Sequence, residues 1–77
     1  METPLAMLPQ GINVKVVKIV GGKGITRKLV EMGFTPGENV KILHSDFSGP
    51  ILVSVKGSRV ALGRGVAMKI IVDGLGE

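Results

Sequence analysis

The strongest constraint on the fold is a series of short runs in which apolar residues alternate with polar or charged ones. Alternation with a period of two is typical of a strand that has one buried face. We place such strands at residues 13–20, 40–44, 51–56, 59–62 and 68–72. In the first of them the alternation slips by one residue at Val16 and Val17, which predicts a β-bulge. The chain is therefore expected to be mainly β.

One segment between the first two strands has helical spacing instead. Ile25, Leu29 and Met32 recur at i, i+4 and i+7, which is typical of a short amphipathic helix. Gly33 suits the left-handed residue that follows a last helical turn, and Phe34 would then fold back on Leu29 in a Schellman motif. We therefore expect Gly33 and Phe34 to cap the helix.

Turn residues separate the remaining strands. Pro36 and Gly37 have the composition of the two central residues of a type II turn. Residues 57–58 have the composition of a type II′ turn, which predicts a hairpin between the third and fourth strands. A short helical turn is expected at 64–67. Five strands with one short helix between the first two predict a small closed barrel, because closure removes exposed strand edges.

The length of the chain and its lack of cysteine limit how it can be stabilised. We assign all 77 residues to a single domain, which has no disulfide or thiolate metal site to supplement its core. Hydrophobic residues make up 44% of the sequence and aromatic residues only 3%, so packing must rely on Val, Ile, Leu and Met, or on homo-oligomerisation. Neither a membrane span nor a secretory signal is recognisable, and we expect a cytoplasmic protein without direct membrane insertion.

Few residues in the sequence have the chemistry of a catalytic or metal site. The chain has one histidine and no two carboxylates at a spacing that forces them together, so we expect no enzymatic activity. His44 and Asp46 are the best metal candidates, but a tight transition-metal site needs three or four ligands. A site shared between subunits stays an alternative. The glycine-rich residues 21–24 lack a nucleotide-binding pattern, and no cofactor is expected.

The basic residues give a net charge of +4, yet they are scattered, and only Lys23, Arg27 and Lys28 cluster. Without Trp or Tyr, the chain offers few stacking platforms for bases or proline-rich peptides, so nucleic-acid binding is not expected. Apolar residues outside the predicted core, among them Val30 and Phe47, form either a second small core or an exposed contact surface. Such a surface beside basic residues would suit an acidic and apolar protein partner.

A longer pattern links several of these features. The nine residues 29–37, Leu-Val-Glu-Met-Gly-Phe-Thr-Pro-Gly, are its most specific part, and the paired residues 21–22, 49–50 and 61–62 extend it over nearly the whole chain. This pattern resembles FeoA, a family of small cytoplasmic proteins of ferrous iron uptake. It is also similar to the C-terminal SH3-like domain of iron-dependent repressors. The resemblance implies an SH3-like barrel.

The resemblance also implies a partner. FeoA is associated with FeoB, a membrane ferrous iron transporter with a cytoplasmic GTPase domain, on which it acts as an accessory or regulatory protein. We expect the helix and a nearby loop to contact this partner through Lys23, Arg27, Leu29, Val30, Met32 and Phe47. The alternative is a metal-linked regulatory domain like that of the repressors, since the family is also associated with transition metals.

Overall fold

The structure is a computed structural model and describes residues 1–46 and 48–74. Its helices and strands follow one another along the chain with short connections. They are β1 (Glu2–Pro4), a 3-10 turn (Leu5–Met7), β2 (Asn13–Ile19), α1 (Lys23–Glu31), β3 (Asn39–His44), β4 (Ile51–Val55), β5 (Ser58–Leu62), α2 (Arg64–Ala67) and β6 (Ile70–Asp73). The mainly β prediction is confirmed.

The strands form one antiparallel sheet with the order β1-β6-β2-β3-β4-β5. The described residues thus contain six strands, and the prediction of five missed β1. This strand aligns Glu2 with Asp73 and Thr3 with Val72. Its three residues include a proline and show no alternation, so only tertiary pairing makes them a strand. Over the described residues, the sheet ends in two edge strands, β1 and β5, that do not pair with each other, so the predicted full closure of the barrel is not observed. The molecule measures 29 × 25 × 24 Å, and the sheet curves around one core.

The core lies inside the curved sheet and is almost entirely aliphatic. The alternating residues of β2, β3 and β4 point into it. The helices α1 and α2 add the buried Leu29 and Ala67, and the 3-10 turn adds Leu5. Its fully buried larger side chains are Phe34, Leu5, Leu29, Ile42, Ile51, Ile70, Val14, Val16, Val40, Val53, Val55 and Val72. Phe34 is the one aromatic ring among them.

The predicted irregularity in the first strand is confirmed. The register between β2 and β6 shifts between Val16 and Lys18, so the alternation changes phase where the sequence slips. A bulge increases the local twist and lets a strand bend, as a strongly curved sheet requires.

The predicted end of α1 is also confirmed. Gly33 has a φ of +114°, and its N–H donates to the Val30 carbonyl at 3.0 Å. The Phe34 N–H donates to the Leu29 carbonyl at 3.0 Å, which completes a Schellman motif. The Leu29 and Phe34 side chains both lie in the core. The cap therefore anchors the helix to the barrel.

One of the two predicted turns is confirmed, and the other is corrected. Gly37 has a φ of +91° and the Glu38 N–H donates to the Thr35 carbonyl at 2.9 Å, as in a type II turn. In the hairpin, however, Ser58 already pairs with Val55. The turn residues are 56–57, and their φ values of 51° and 77° indicate type I′ rather than type II′. A type I′ turn matches the right-handed twist of paired strands.

The short helical turn predicted near residues 64–67 is confirmed as α2. The Ala67 N–H donates to the Gly63 carbonyl at 2.9 Å, and Ala67 is buried. Arg64 extends from this turn and donates from Nη2 to the Ala6 carbonyl at 3.2 Å. This bond ties α2 to the 3-10 turn. Among the described residues, no helix has both the length and the hydropathy to cross a membrane.

Candidate partner-binding surface

One side of α1 is exposed and carries three of the residues predicted to contact a partner. Lys23, Arg27 and Val30 are spaced at i, i+4 and i+7, so the helical pitch places them on one stripe. All three are exposed, and Val30 is 37% accessible. We call these three residues the outer face of α1. It combines two positive charges with a branched apolar side chain on a helix whose end is fixed.

The other three predicted contact residues lie elsewhere. Leu29 is 1% exposed and packs in the core, so it offers little area to a partner. Its helical position turns it toward the barrel, where it supports the cap with Phe34. Met32 is half-buried and packs against the core from the side. Phe47 lies outside the described residues.

A small groove separates α1 from β5 and α2. It has a volume of about 160 Å³ and opens to solvent. Its walls are mostly apolar, with Lys28 as the single charged residue; they are Ile25, Lys28, Leu29, Met32, Ala61, Leu62, Gly63 and Val66. Small-molecule pockets usually have volumes of about 300–1,000 Å³. This α1–β5 groove therefore suits side chains of a protein partner better than a whole metabolite.

A larger depression, of about 450 Å³, lies beside the 3-10 turn. It is lined by Ala6, Met7, Leu8, Pro9, Ser45, Asp46 and Arg64. Arg64 uses Nη2 to hold the Ala6 carbonyl, while its Nη1 is buried and has no hydrogen-bond partner among the described residues. The Ser45 N–H donates to Gln10 Oε1 at 3.2 Å. Two of the lining residues, Ser45 and Arg64, thus hold residues 6–10 in place.

The two metal candidates form a hydrogen-bonded pair on the surface. His44 Nε2 lies 3.2 Å from Asp46 Oδ2, and both side chains are more than half exposed. Regular alternation would place His44 on the buried face with Val40 and Ile42, but the register shifts between Ile42 and His44, and His44 is exposed. No group of three or more His, Asp or Glu residues that could hold a metal ion occurs in residues 1–46 and 48–74. The pair is two ligands short of a tetrahedral site.

The sequence did not reveal the residues that complete the groove. Ala61 and Val66 belong to β5 and α2, about thirty to forty positions after the helix they face. Their residue types are ordinary for a strand and a helical turn. They line one groove with Ile25 and Lys28 only in the folded chain, and no local pattern encodes that approach.

Comparison with known proteins finds relatives of one family, by sequence and by structure. The FeoA domain model matches residues 3–74. A Methanocaldococcus jannaschii protein named as a candidate Fe(2+) transport protein A is 44% identical over 70 residues, which cover 91% of this chain and 84% of the relative. A crystal structure of an iron uptake regulatory protein, FeoA, superposes with a TM-score of 0.87 at 42% identity, covering 95% of this chain and 96% of the other.

Two further solved structures have a similar fold. Stenotrophomonas maltophilia FeoA, crystallised with zinc and described as an SH3 domain protein, superposes with a TM-score of 0.80 at 31% identity, covering 95% of this chain and 89% of that one. A manganese-dependent transcriptional repressor superposes with a TM-score of 0.85 at 24% identity, covering 96% of this chain but 42% of the repressor. The fold is SH3-like, and it is shared with one part of the larger repressor.

Proposed function

Since the chain belongs to the FeoA domain family, we propose that it is a non-enzymatic accessory protein of ferrous iron uptake that binds the cytoplasmic GTPase part of a FeoB transporter. The family match over residues 3–74 supports the link to iron uptake. Relatives named for Fe(2+) transport and for regulation of iron uptake, each more than 40% identical, support it further. Because the proposed partner is the cytoplasmic part of the transporter, we expect this protein in the cytoplasm.

The observation that carries the docking proposal is the outer face of α1. Lys23, Arg27 and Val30 are exposed together on a helix whose Schellman cap is anchored in the core. A rigid helix presents its side chains at little additional loss of conformational entropy on binding. The two cations favour association with an acidic surface, and Val30 supplies apolar area that becomes buried in the complex.

The test compares two double variants with the same change in net charge. We expect Arg27→Glu with Val30→Asp to weaken binding to the purified FeoB cytoplasmic part about tenfold or more, measured by isothermal titration calorimetry. The matched control is Asn39→Asp with Lys41→Glu, which alters two exposed residues of β3. The control should bind like wild type. Equal affinity of the α1 variant and the wild type would contradict the proposed docking face.

The alternative, a metal-linked regulatory domain of the repressor type, has less support. The likeness to the manganese-dependent repressor is one of fold, at 24% identity. Among the described residues, His44 and Asp46 bring together two ligand-type side chains on the surface. We therefore retain the transport function as the proposal.

A further inference from the structure

The strand β5 ends the sheet and is hydrogen-bonded along one side. Val55 and Ser58 flank the two-residue turn and thus form a hydrogen-bonded pair. Such pairs alternate with non-hydrogen-bonded ones in an antiparallel ladder, so Arg59 and Ala61 belong to the second kind. Their backbone N–H and C=O groups point away from β4. Within residues 1–46 and 48–74, these four groups have no hydrogen-bond partner.

The opposite end of the sheet is different. There the edge strand is β1, which is only three residues long and ends with Pro4. A short edge strand that contains proline offers few groups to a further strand, because proline has no N–H donor. By contrast, β5 has five residues without proline. An added strand would therefore find suitable donors and acceptors at β5.

The α1–β5 groove runs beside this free edge. Ala61 and Leu62 contribute to β5 and also line the groove, while Ile25 and Met32 form the opposite wall. Side chains alternate across a strand, so every second residue of a segment added to β5 would face the groove. Aliphatic side chains would fit there, since the walls are apolar and the volume is about 160 Å³. The edge strand and the groove thus share Ala61 and Leu62.

The charges around this surface are positive. Lys28 is exposed where it lines the groove, and Arg59 is exposed on β5 itself. None of the described residues that line the groove is acidic. An incoming segment with carboxylates near its apolar side chains would therefore meet charges of opposite sign, which favours the encounter and sets its register.

We propose that β5 and the α1–β5 groove bind an extended segment of the protein partner by strand addition. The segment pairs with the backbone of Arg59 and Ala61, inserts aliphatic side chains into the groove, and places acidic residues beside Lys28 and Arg59. Main-chain hydrogen bonds supply affinity in this mode of recognition, and the pockets for alternate side chains supply specificity. The inference rests on the proposed function, because it adds a second contact with the FeoB cytoplasmic part to the one proposed for the outer face of α1.

Amide hydrogen exchange of the isotope-labelled chain, with and without the FeoB cytoplasmic part, provides the test. We expect the amides of Arg59 and Ala61 to exchange at least about tenfold more slowly in the complex, since both become hydrogen-bonded. Binding with unchanged exchange at these two amides would overturn strand addition and leave the proposed function intact. Absence of binding would overturn both. Protection that rises with the concentration of the chain alone would identify a second copy as the occupant and would also overturn the inference.

A substitution at Ala61 tests the same point through affinity. Ala61→Pro removes an N–H that β4 does not use, so we expect the fold to persist and the Kd for the FeoB cytoplasmic part to rise about tenfold. Ala61→Ser keeps the N–H and should bind like wild type. If Ala61→Pro does not fold, Lys28→Glu replaces it and should also weaken binding, with Lys28→Gln intermediate. Wild-type affinity in the folded variant would overturn the inference.

Discussion

The amide nitrogen of Phe34 lies 3.0 Å from the carbonyl oxygen of Leu29, and this hydrogen bond closes α1 while both side chains pack in the core. The hydrogen bond that caps the helix and the packing of these two side chains in the core therefore favour the same backbone conformation. Between them, Gly33 adopts a φ of +114°. An added Cβ at Gly33 would lie 3.3 Å from Val55 Cγ2. Backbone conformation and space both select glycine here.

Replacing Gly33 should destabilise the fold. We expect Gly33→Ala to lower the free energy of unfolding by about 1–3 kcal/mol, because a residue with a Cβ is strained at this φ. Urea unfolding followed by circular dichroism measures the change. Gly24→Ala within α1 is the matched control, since a Cβ added there would meet nothing within 4 Å and the φ of Gly24 is not positive. An equal loss in both variants would contradict the assigned role of Gly33.

The hairpin turn offers a stabilising substitution. Lys56 has a φ of 51°, which is unfavourable for lysine, whereas asparagine is common at this position of a type I′ turn. We expect Lys56→Asn to raise the free energy of unfolding by about 1 kcal/mol. Chemical denaturation of the two proteins measures this difference.

The ion pair at this turn needs its own control. Lys56 Nζ lies 3.2 Å from Glu38 Oε1, with Lys56 exposed and Glu38 half-buried. Ion pairs at the protein surface contribute about 0–1 kcal/mol. Lys56→Asn is therefore also compared in a Glu38→Gln background, where no pair can form. A stabilisation that is absent from this background would show that backbone strain is not the cause.

Arg64 should stabilise the 3-10 turn locally. Arg64→Met removes the donor to the Ala6 carbonyl, and we expect a loss of about 1 kcal/mol. Amide exchange of Leu8, which donates to the Leu5 carbonyl across the 3-10 turn, should become faster. Arg59→Met removes an exposed guanidinium and serves as the control. Unchanged exchange at Leu8 in the Arg64 variant would argue against the local role.

Metal affinity should be low for the monomer. Titration with Zn²⁺ is expected to give a Kd weaker than micromolar, because His44 and Asp46 form only half of a tetrahedral ligand set. His44→Gln should abolish the remaining affinity. A sub-micromolar Kd measured on monomeric protein by competition with a chelator would contradict this prediction.

Local patterns predicted much of the fold. The slip at Val16 and Val17, the helical spacing that ends at Gly33 and the turn at Pro36 and Gly37 each depend on a few adjacent residues. Their physical causes, alternation of side chains and preferences for φ, act over short distances. These features could therefore be predicted without the tertiary structure.

The errors arose where distant segments determine the conformation. β1 becomes a strand only because Thr3 lies opposite Val72, which is far along the chain. The hairpin turn lies one residue before its predicted position because Ser58 pairs with Val55 in the strand ladder. The α1–β5 groove depends on the same kind of long-range packing, since Lys28 and Ala61 meet only in the folded barrel.

The place of β6 in the sheet has a consequence for biosynthesis. Of the described strands, β6 is the last to leave the ribosome, yet it lies between β1 and β2, and its Ile70 and Val72 are fully buried. A nascent chain can form the consecutive strands β2 to β5, but β2 keeps an unpaired side until β6 emerges. Folding is therefore completed only after translation of this region, and products that stop before Ile70 expose a strand edge to aggregation and proteolysis.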